Sequence, residues 1–433
     1  MIDLEDLRKR PKMYQDAADK KNIIIKIGEF LKLDDLRREL IVFVEDMRAK
    51  KNSVSKKIPT MKGEEKEIAL KEMKELSATL KEKEDALTKA EDSWKLMQLR
   101  LPTIPLDTVP VGKSDADNKE VRKVGEIRDF GFHPKDHVTL GEELDLFDIP
   151  RGVKLGGSRS YFLKGDGARL HRAILAYTAD HLVKKGWILF DPPLMVERKF
   201  LMGSGFLPGA EEQIYAVGVQ KEEGATLEDD GLSLIGTSEV SVMGYHSDEV
   251  LEAKDLPKKY CGLSSCFRRE AGTYGKDTKG LYRIHQFEKV EQVVLCEANI
   301  DHALSLFEEI RTNAEEILQA LELPYRIMDV CTGDMGQGKV FMQDIETWMP
   351  SREGYGETHS CSYLGDFQTR RLNIKYIDAE GNRRFAHSLN NTCIASPRIL
   401  IPILELYQNR DGTVTVPEVL RPYMNGMSVI TKR

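Results

Sequence analysis

The 433-residue sequence lacks the features that mark several classes of protein. Its six cysteines form no CxxC pair, which argues against a zinc site or a disulfide framework and indicates reduced thiols in a cytosolic protein. No apolar run approaches the ~18 residues of a membrane span. The N-terminal segment MIDLEDLRKR has no apolar signal region. We therefore expect a cytoplasmic protein without zinc and without a membrane contact.

An excess of positive charge is also missing. The chain has 64 lysines and arginines against 71 aspartates and glutamates, a formal net charge of −7. This balance argues against a uniformly basic surface for nucleic acid, although it leaves room for a local basic patch. A hydrophobic content of 41% supports a sizeable core. The length suits two to four domains, or one large domain with an appendage.

Glycine and proline are scarce between Leu31 and Leu101, where only Pro59 and Gly63 occur. Before Gly63 the apolar residues recur at intervals that approximately alternate between three and four residues. After it they keep a strict interval of seven, at Met73, Leu80, Leu87, Trp94 and Leu101. Two heptad segments around a short break predict a long antiparallel helical hairpin, with helices of about 30 residues and a reach of about 45 Å.

The predicted tip of this hairpin is basic. The stretch RAKKNSVSKKIPTMK, residues 48–62, has six basic residues and no acidic one. A solvated helix face is one interpretation. Contact with a phosphate backbone is the other, and it is favoured because the flanking helix is charge-balanced and the whole protein is acidic. The candidate residues for this contact are Arg48, Lys50, Lys51, Lys56 and Lys57.

A proline-rich linker follows the hairpin, and we place a domain boundary there, giving residues 1–105 and 106–433. The second part alternates strand-like and helix-like stretches. HRAILAYTADHLVKKGW and FEEIRTNAEEILQALEL predict helices, and KVEQVVL and LNIKYID predict strands. This pattern predicts an α+β domain built on a mainly antiparallel sheet with helices packed on it.

The stretch CFRREAGTYGKDTKGLYRIHQFEKVE, residues 266–291, predicts two strands joined by a loop. Alternation in a strand puts Phe287, Lys289 and Glu291 on one face, together with Arg283 and His285, and Ile284 on the other. On the first strand, Arg268 and Glu270 share a face by the same rule. An arginine suits a phosphate, an aromatic ring suits a base, and a carboxylate suits an ammonium or a hydroxyl. A salt-bridged exposed sheet is the alternative.

The loop within this stretch contains neither GxxxxGK[ST] nor GxGxxG. It joins a strand to a strand, so no helix N-terminus is available for a phosphate. Lys276 and Lys279 therefore indicate a mobile basic lid rather than a rigid phosphate loop.

Two shorter stretches carry further candidate side chains. In LIGTSEV, Thr237 and Glu239 would share a strand face, a pattern that is common by itself. In GYGETHSCSYLGDFQTRR, Glu357 suits Mg²⁺, which favours one or two carboxylates plus substrate phosphates. Ser360 lies three residues on, so it would join Glu357 only if the strand had a bulge.

The stretch LNNTCIASPRILIPILELYQ predicts the start of a helix. Ser396 fits the N-cap and Pro397 the first helical position. Arg398 would then lie in the first turn, where backbone N–H groups favour an anion. An arginine that merely opens a surface helix is the alternative.

Together these stretches resemble the motifs of the class II aminoacyl-tRNA synthetases and, among these, the seryl-tRNA synthetase family. KGWILFDPPLMV resembles motif 1, FRREAG…GLYRIHQFEKVE resembles motif 2, and LNNTCIASPR resembles motif 3. TSE, CTGDMG, SCS, DFQTRR and VPEVLRPYM are further family-like stretches. With the helical arm, the resemblance extends over essentially the whole chain.

The resemblance implies a class II antiparallel catalytic sheet of about six or seven strands flanked by helices, with an N-terminal antiparallel coiled-coil arm. It implies a homodimer formed partly by motif 1, and an arm that grips the long variable arm of serine tRNA. The implied activity is that of a serine–tRNA ligase, which uses L-serine, ATP with Mg²⁺ and tRNA(Ser), with tRNA(Sec) as a further candidate substrate.

The resemblance also implies residue roles. The catalytic residues would be Arg268 and Arg398. The L-serine site would comprise Thr237, Ser238, Glu239, Arg268, Glu291 and Thr392. The ATP site would comprise Arg268, Arg269, Glu270, Ile284, Phe287, Glu357, Thr358, His359, Ser360 and Arg398. Mg²⁺ would be bound by Glu357 and Ser360.

Two alternatives stay open at this point. An adenylating paralogue that loads an amino acid onto a carrier protein would lack the arm, so Leu33–Leu101 argues against it. A catalytically inactive RNA-binding paralogue should have lost the motif arginines, but Arg268, Arg283 and Arg398 are present.

Overall fold

The computed structural model describes residues 1–220, 228–272 and 279–432, which form two compact units, Met1–Ile104 and Pro105–Arg433. The predicted lid residue Lys276 lies outside the described residues. The first unit contains four α-helices: α1 (Leu4–Lys9), α2 (Pro11–Lys20), α3 (Ile27–Lys57) and α4 (Gly63–Gln98). The helices of the second unit are α5 (His137–Glu143), α6 (Ile149–Gly156), α7 (Gly165–Lys184), α8 (Arg198–Ser204), α9 (Glu239–Gly244), α10 (Ile300–Ala320), α11 (Phe367–Leu372) and α12 (Leu400–Leu406).

The long hairpin predicted from the heptad spacing is confirmed. Helices α3 and α4 have 31 and 36 residues and pack against each other over their length. At 1.5 Å per residue they extend about 45–55 Å. Val44, Ala69 and Leu80 are buried along the seam. A short 3₁₀ turn at Ile58–Thr60 reverses the chain, and Gly63, with a φ of 59°, starts the returning helix.

The strands belong to the second unit. They are β1 (Lys119–Val124), β2 (Phe147–Asp148), β3 (Phe162–Leu163), β4 (Ile188–Phe190), β5 (Met195–Glu197), β6 (Ala216–Val219), β7 (Glu228–Leu234), β8 (Val250–Glu252), β9 (Lys258–Phe267), β10 (Gln286–Cys296), β11 (Tyr325–Asp329), β12 (Phe341–Met349), β13 (Gly354–Gly365), β14 (Lys375–Ile377), β15 (Arg383–Phe385), β16 (His387–Ser396), β17 (Val414–Thr415) and β18 (Val429–Ile430).

Eight of these strands form one sheet, in the order β1-β11-β12-β13-β16-β10-β9-β4. Neighbouring strands are antiparallel except for β4, which runs parallel to β9 at one edge. The sheet has eight strands rather than the six or seven that we expected, and β1 adds to its other edge beside β11. The α+β class and the antiparallel character of the sheet are confirmed.

The core lies between this sheet and the helices α7 and α10. Val290 and Val294 of β10 belong to the same buried cluster as Leu175 of α7 and Ile310 of α10. The alternating residues Phe287, Lys289 and Glu291 line a cavity instead. The predicted period of two therefore holds along β10 and separates an apolar face from a functional face.

Two predicted elements have different bounds. The helix expected from HRAILAYTADHLVKKGW starts earlier, at Gly165. The strand expected from LNIKYID is shorter, because Leu372 ends α11 and Asn373 has a left-handed φ of 54°.

All six cysteines are free and buried. Among the helices of the described residues, none combines the length and the apolarity that crossing a membrane requires.

Candidate active site

A cavity of about 580 Å³ lies over the middle of the large sheet. Its walls come from the ends or middles of β9, β10, β13 and β16, from the start of α9, and from the segments that flank β9 and β10. It therefore collects side chains that are far apart in sequence.

Arg268 and Phe287 form one wall of this cavity. The Arg268 guanidinium lies 5.3 Å from the centroid of the Phe287 ring, and its Nε donates to the Gly236 carbonyl over 3.3 Å. The predicted strand position of Arg268 is wrong, because β9 ends at Phe267. The Arg268 N–H nevertheless donates to the His285 carbonyl over 2.9 Å, so the two chain segments stay paired one step beyond the strands.

Glu270 and Arg283 lie beyond the ends of the same two strands. The Glu270 backbone has a φ of 51°, which breaks strand alternation, so its predicted strand face with Arg268 is also wrong. Arg283 likewise precedes β10, and its Nη1 is 3.4 Å from a Glu270 carboxylate oxygen. Both residues line the cavity, as does Ile284, which we had placed on the opposite face.

A second wall holds a buried carboxylate. Glu239 is the first residue of α9, not part of a strand as predicted, because the chain turns helical after Thr237. Its Oε1 accepts from Gln368 Nε2 over 2.5 Å and from Asn390 Nδ2 over 2.8 Å. Burial, and then the charge of Glu291, raise the pKa of Glu239 from 4.5 to about 7.

Next to it, Lys289, Glu291 and Thr392 form a buried polar cluster. The Lys289 ammonium is 2.5 Å from Glu291, and the Thr392 hydroxyl donates to the same carboxylate over 3.0 Å. Between Val290/Ile394 and Glu291/Thr392 the register shifts by one residue, so β16 bulges at Cys393. The bulge puts Thr392 directly opposite Glu291.

Glu357 and Ser360 reach the cavity together because β13 also bulges. Ile345 pairs with His359 and the next residue, Glu346, pairs with Glu357, which leaves Thr358 as the extra residue. Ser360 pairs with Asp344 on β12, and one Asp344 carboxylate oxygen is buried with no hydrogen-bond partner within the described part of the chain. Burial, and then the charge of Glu357, raise the pKa of Asp344.

Arg398 closes the remaining side of the cavity. Its Nε donates to the Tyr282 carbonyl and its Nη1 to the Glu357 carbonyl, each over 3.1 Å, and its guanidinium lies 4.5 Å from the Tyr282 ring centroid. The predicted helix start is wrong, because Ser396 ends β16 and α12 begins only at Leu400. Arg398 is therefore held by carbonyls in a turn, not by a helix N-terminus.

Comparison with known proteins identifies the family. Residues 1–105 match the family model of the seryl-tRNA synthetase N-terminal domain. Residues 223–407 match that of the tRNA synthetase class II core domain (G, H, P, S and T). The serine–tRNA ligase of Deinococcus radiodurans is 45% identical over 99% of both chains. The chain belongs to the seryl-tRNA synthetase family.

Solved structures agree with this assignment. Seryl-tRNA synthetase from Pyrococcus horikoshii, complexed with ATP, superposes with a TM-score of 0.87 and 36% identity over the full length of both chains. The cytoplasmic serine–tRNA ligase of Naegleria fowleri, in complex with AMP, gives a TM-score of 0.82 and 30% identity over 98% of this chain and 96% of its own. The expected class of enzyme, an aminoacyl-tRNA ligase, is thereby confirmed.

Most of the site residues expected for a seryl-tRNA synthetase line this one cavity. They are Thr237, Glu239, Arg268, Glu270, Ile284, Phe287, Glu291, Glu357, Thr358, Ser360, Thr392 and Arg398. The structure brings them together, while their individual roles stay predictions.

Three expected residues have side chains that do not line the cavity. The Ser238 hydroxyl donates to the Gly262 carbonyl, and Arg269 extends toward the Tyr215 ring, 6.0 Å from its centroid. His359 is fully buried behind the bulge, with Nδ1 2.8 Å from the Thr358 hydroxyl, and burial lowers its pKa to about 3. These side chains therefore support the cavity wall, and the assignment of the three residues to the serine and ATP sites stays a prediction.

Sequence reasoning missed Gln368, Asn390 and Tyr282. Asn390 shares the alternating face of Thr392, so the period of two along β16 could have found it. Gln368 lies on α11 and reaches Glu239 from 129 residues away in sequence, a contact for which the sequence holds no local signal.

Proposed function

We propose that this chain activates L-serine with ATP and then transfers the seryl group to the 3′ end of tRNA(Ser). The observation that carries the proposal is a single cavity that brings two arginines and an aromatic ring, Arg268, Arg398 and Phe287, together with the buried polar cluster around Glu291. The first group suits a nucleotide and its phosphates. The second suits the small polar amino acid.

The proposed reaction has two steps and needs no covalent enzyme nucleophile. A serine carboxylate oxygen attacks the α-phosphorus of ATP, the bond to the bridging oxygen breaks, and pyrophosphate leaves. The terminal ribose hydroxyl of the tRNA then attacks the seryl carbonyl and releases AMP. Catalysis comes from positioning and charge stabilisation, with Arg268 bridging the serine carboxylate and the α-phosphate.

The polar cluster accounts for selectivity toward serine. A serine ammonium beside Glu239 and Glu291 would offset the cost of holding two buried carboxylates close together. A serine hydroxyl would pair with Glu291 and Thr392. Alanine would leave those buried groups unpaired, a mismatch that rejects by ~10⁴-fold in comparable sites. Threonine would be excluded sterically.

The residues near Ser360 fit a Mg²⁺ ion bound together with ATP. Glu357 and Ser360 line the cavity and offer oxygen ligands beside the bulge, and Asp344, opposite Ser360 on β12, has a buried carboxylate oxygen without a hydrogen-bond partner among the described residues. When bound, the ion would neutralise phosphate charge. Glu357 and Ser360 would hold it, while Arg398 and Phe287 would orient the nucleotide.

The helical arm formed by α3 and α4 is the proposed tRNA-binding element. Arg48 and Lys50 form ion pairs within the arm, with Glu84 and Asp46 respectively, each at 2.7 Å. No ion pair is found for Lys51, Lys56 or Lys57 among the residues that the structure describes, so these three are the best phosphate contacts. Serine tRNA is the proposed substrate, and tRNA(Sec) a further candidate.

We also propose a homodimer in the cytoplasm. Among the described residues the edge strand β4 pairs with β9 alone, and its Ile188 and Leu189 are 53% and 47% exposed. An exposed apolar edge strand invites a partner strand or surface. β4 is part of the motif 1 stretch, so the exposed edge is where the resemblance places the dimer contact.

Serine-dependent exchange of pyrophosphate into ATP tests the proposed activity. The intact protein should exchange label only when serine is present, and Arg268→Ala should abolish it. Exchange with another amino acid in place of serine would contradict the proposed substrate.

A further inference from the structure

A buried histidine lies behind the candidate ATP site without lining it. His137, the first residue of α5, is 8% exposed and contacts Glu405 of α12, which is fully buried. The Glu405 carboxylate accepts the His137 backbone N–H over 3.0 Å and lies 2.8 Å from its Nδ1. Its other oxygen accepts the Ser351 N–H over 2.9 Å. The carboxylate thus ties three chain segments together.

The other ring nitrogen of His137 holds the segment that enters β10. The Leu281 N–H donates to Nε2 over 3.3 Å. Because a backbone N–H can only donate, Nε2 must be the acceptor, so Nδ1 carries the proton and donates to Glu405. The Glu405–His137–Leu281 chain therefore has one consistent set of donors and acceptors.

The fit around this contact is tight. Gly280 has a φ of 75°, and a Cβ at this position would lie 2.0 Å from His137 Nε2. Leu281 and Tyr282 are both buried, with 0% and 9% exposure. The imidazole therefore fixes the backbone just before Tyr282.

Tyr282 in turn contacts both Arg398 and the strand that carries Glu357. Its carbonyl accepts from Arg398 Nε over 3.1 Å, and its hydroxyl donates to the Glu357 carbonyl over 3.3 Å. The Arg398 guanidinium packs on its ring. Any shift of Leu281 would move the groups that hold Arg398 in the cavity.

We propose that His137, held by Glu405, is a positioning residue that fixes Leu281 and Tyr282 and through them the Arg398 guanidinium in the nucleotide site. The inference rests on the proposed function, because it assigns Arg398 to ATP. Among the described residues, no hydrogen bond or ion pair links the serine cluster at Glu239, Glu291 and Thr392 to this chain of groups, so ATP binding should weaken while serine binding does not.

The test compares ATP dissociation constants, measured by calorimetry without serine, and KM values for serine in pyrophosphate exchange. His137→Leu should weaken ATP binding at least fivefold and leave the serine KM within twofold. His137→Gln, whose amide oxygen can still accept from Leu281, should bind ATP more tightly than the Leu variant. His246→Leu is the matched control, because His246 is a buried histidine with a glutamate partner, Glu249, and does not line the cavity.

A pair of glycine variants keeps the test decisive if His137→Leu does not fold. Gly280→Ala and Gly426→Ala both place alanine at a left-handed φ, 75° and 77°, but a Cβ at Gly426 meets no atom of the described residues within 4 Å. Only Gly280→Ala should weaken ATP binding. ATP affinity within twofold of wild type in folded His137→Leu, or equal loss in both glycine variants, would overturn the inference. ATP binding without serine-dependent exchange in the wild type would overturn the proposed function instead.

Discussion

Replacing Glu239 with glutamine should stabilise the protein while it damages the serine site. Glu239 is buried, and its carboxylate oxygen is already bonded to the Gln368 and Asn390 amides. Glutamine has nearly the same shape and keeps a carbonyl oxygen for these donors. It removes the ionisable group whose burial raises the pKa from 4.5 to about 7.

The size and the sign of the effect follow from proton linkage. Below pH 4.5 the carboxyl is protonated in the folded and the unfolded chain, so it carries no penalty. Between pH 4.5 and 7 only the unfolded chain releases its proton, so the free energy of unfolding falls as pH rises. A pKa difference of one unit corresponds to about 1.4 kcal/mol. The free energy of unfolding of Glu239→Gln should therefore exceed that of the wild type by about 3 kcal/mol at pH 8 and by about 1 kcal/mol at pH 5.

Urea unfolding of both proteins without ligands, at pH 5 and pH 8, measures this gain. Glu252→Gln, at an exposed carboxylate, is the control and should change stability by less than about 0.5 kcal/mol at both values. The serine KM of Glu239→Gln should rise about 10- to 100-fold, the usual worth of a hydrogen bond to a charged group. A gain in stability that is absent, or equal at the two pH values, would show that the buried Glu239 carboxylate does not destabilise the folded protein.

Three further predictions concern the arm and the β13 bulge. The first variant replaces Lys51, Lys56 and Lys57 with alanine. It should lower the slope of log K for tRNA binding against log salt concentration by about 2 and leave exchange unchanged. Alanine at the ion-paired residues Arg48 and Lys50 should lower this slope by less. An equal effect of both sets in filter binding would contradict this. Ser360→Ala should raise the Mg²⁺ concentration for half-maximal exchange severalfold, and an unchanged Mg²⁺ titration would remove Ser360 from the metal site. Because the pKa of His359 is about 3, His359→Gln should keep the inflections of the pH–rate profile between pH 6 and 8, and a displaced inflection there would give His359 a catalytic role.

The parts of the fold that follow local periodicity could be read from the sequence. The heptads around Gly63 predicted the arm, because a helix seam repeats every seven residues whatever surrounds it. The alternation along β10 predicted that Phe287, Lys289 and Glu291 share a face, and the cavity contains all three. Both patterns depend only on neighbours within one element.

The parts that failed depend on a partner strand or on the end of an element. The bulges at Thr358 and Cys393 arise from pairing with β12 and β10 respectively. Neither bulged strand contains a residue that predicts its bulge from the sequence alone. Alternation was also extended too far. β9 ends at Phe267, so Arg268 and Glu270 reach the cavity by turns that a strand pattern cannot describe.

Ser396 and Pro397 form a sequence pattern that is typical of a helix start, but tertiary contacts keep this segment in a strand. The Ser396 hydroxyl is 2.8 Å from Nδ1 of His171 on α7, and the residue continues β16 instead of capping a helix. Arg398 is consequently held by the Tyr282 and Glu357 carbonyls, contacts between residues 116 and 41 positions apart. Arg398 lines the cavity, but the helix N-terminus that was predicted to support it is absent at this position.

We propose above all that the cavity activates serine with ATP. Serine-dependent ATP–pyrophosphate exchange tests it most directly, with the wild type, Arg268→Ala and Glu252→Gln measured side by side. We predict exchange that requires serine in the wild type and in Glu252→Gln, and loss of at least a hundredfold in Arg268→Ala. Absence of exchange with serine in the folded wild type would contradict the proposed activity, and full exchange in Arg268→Ala would contradict the role proposed for Arg268.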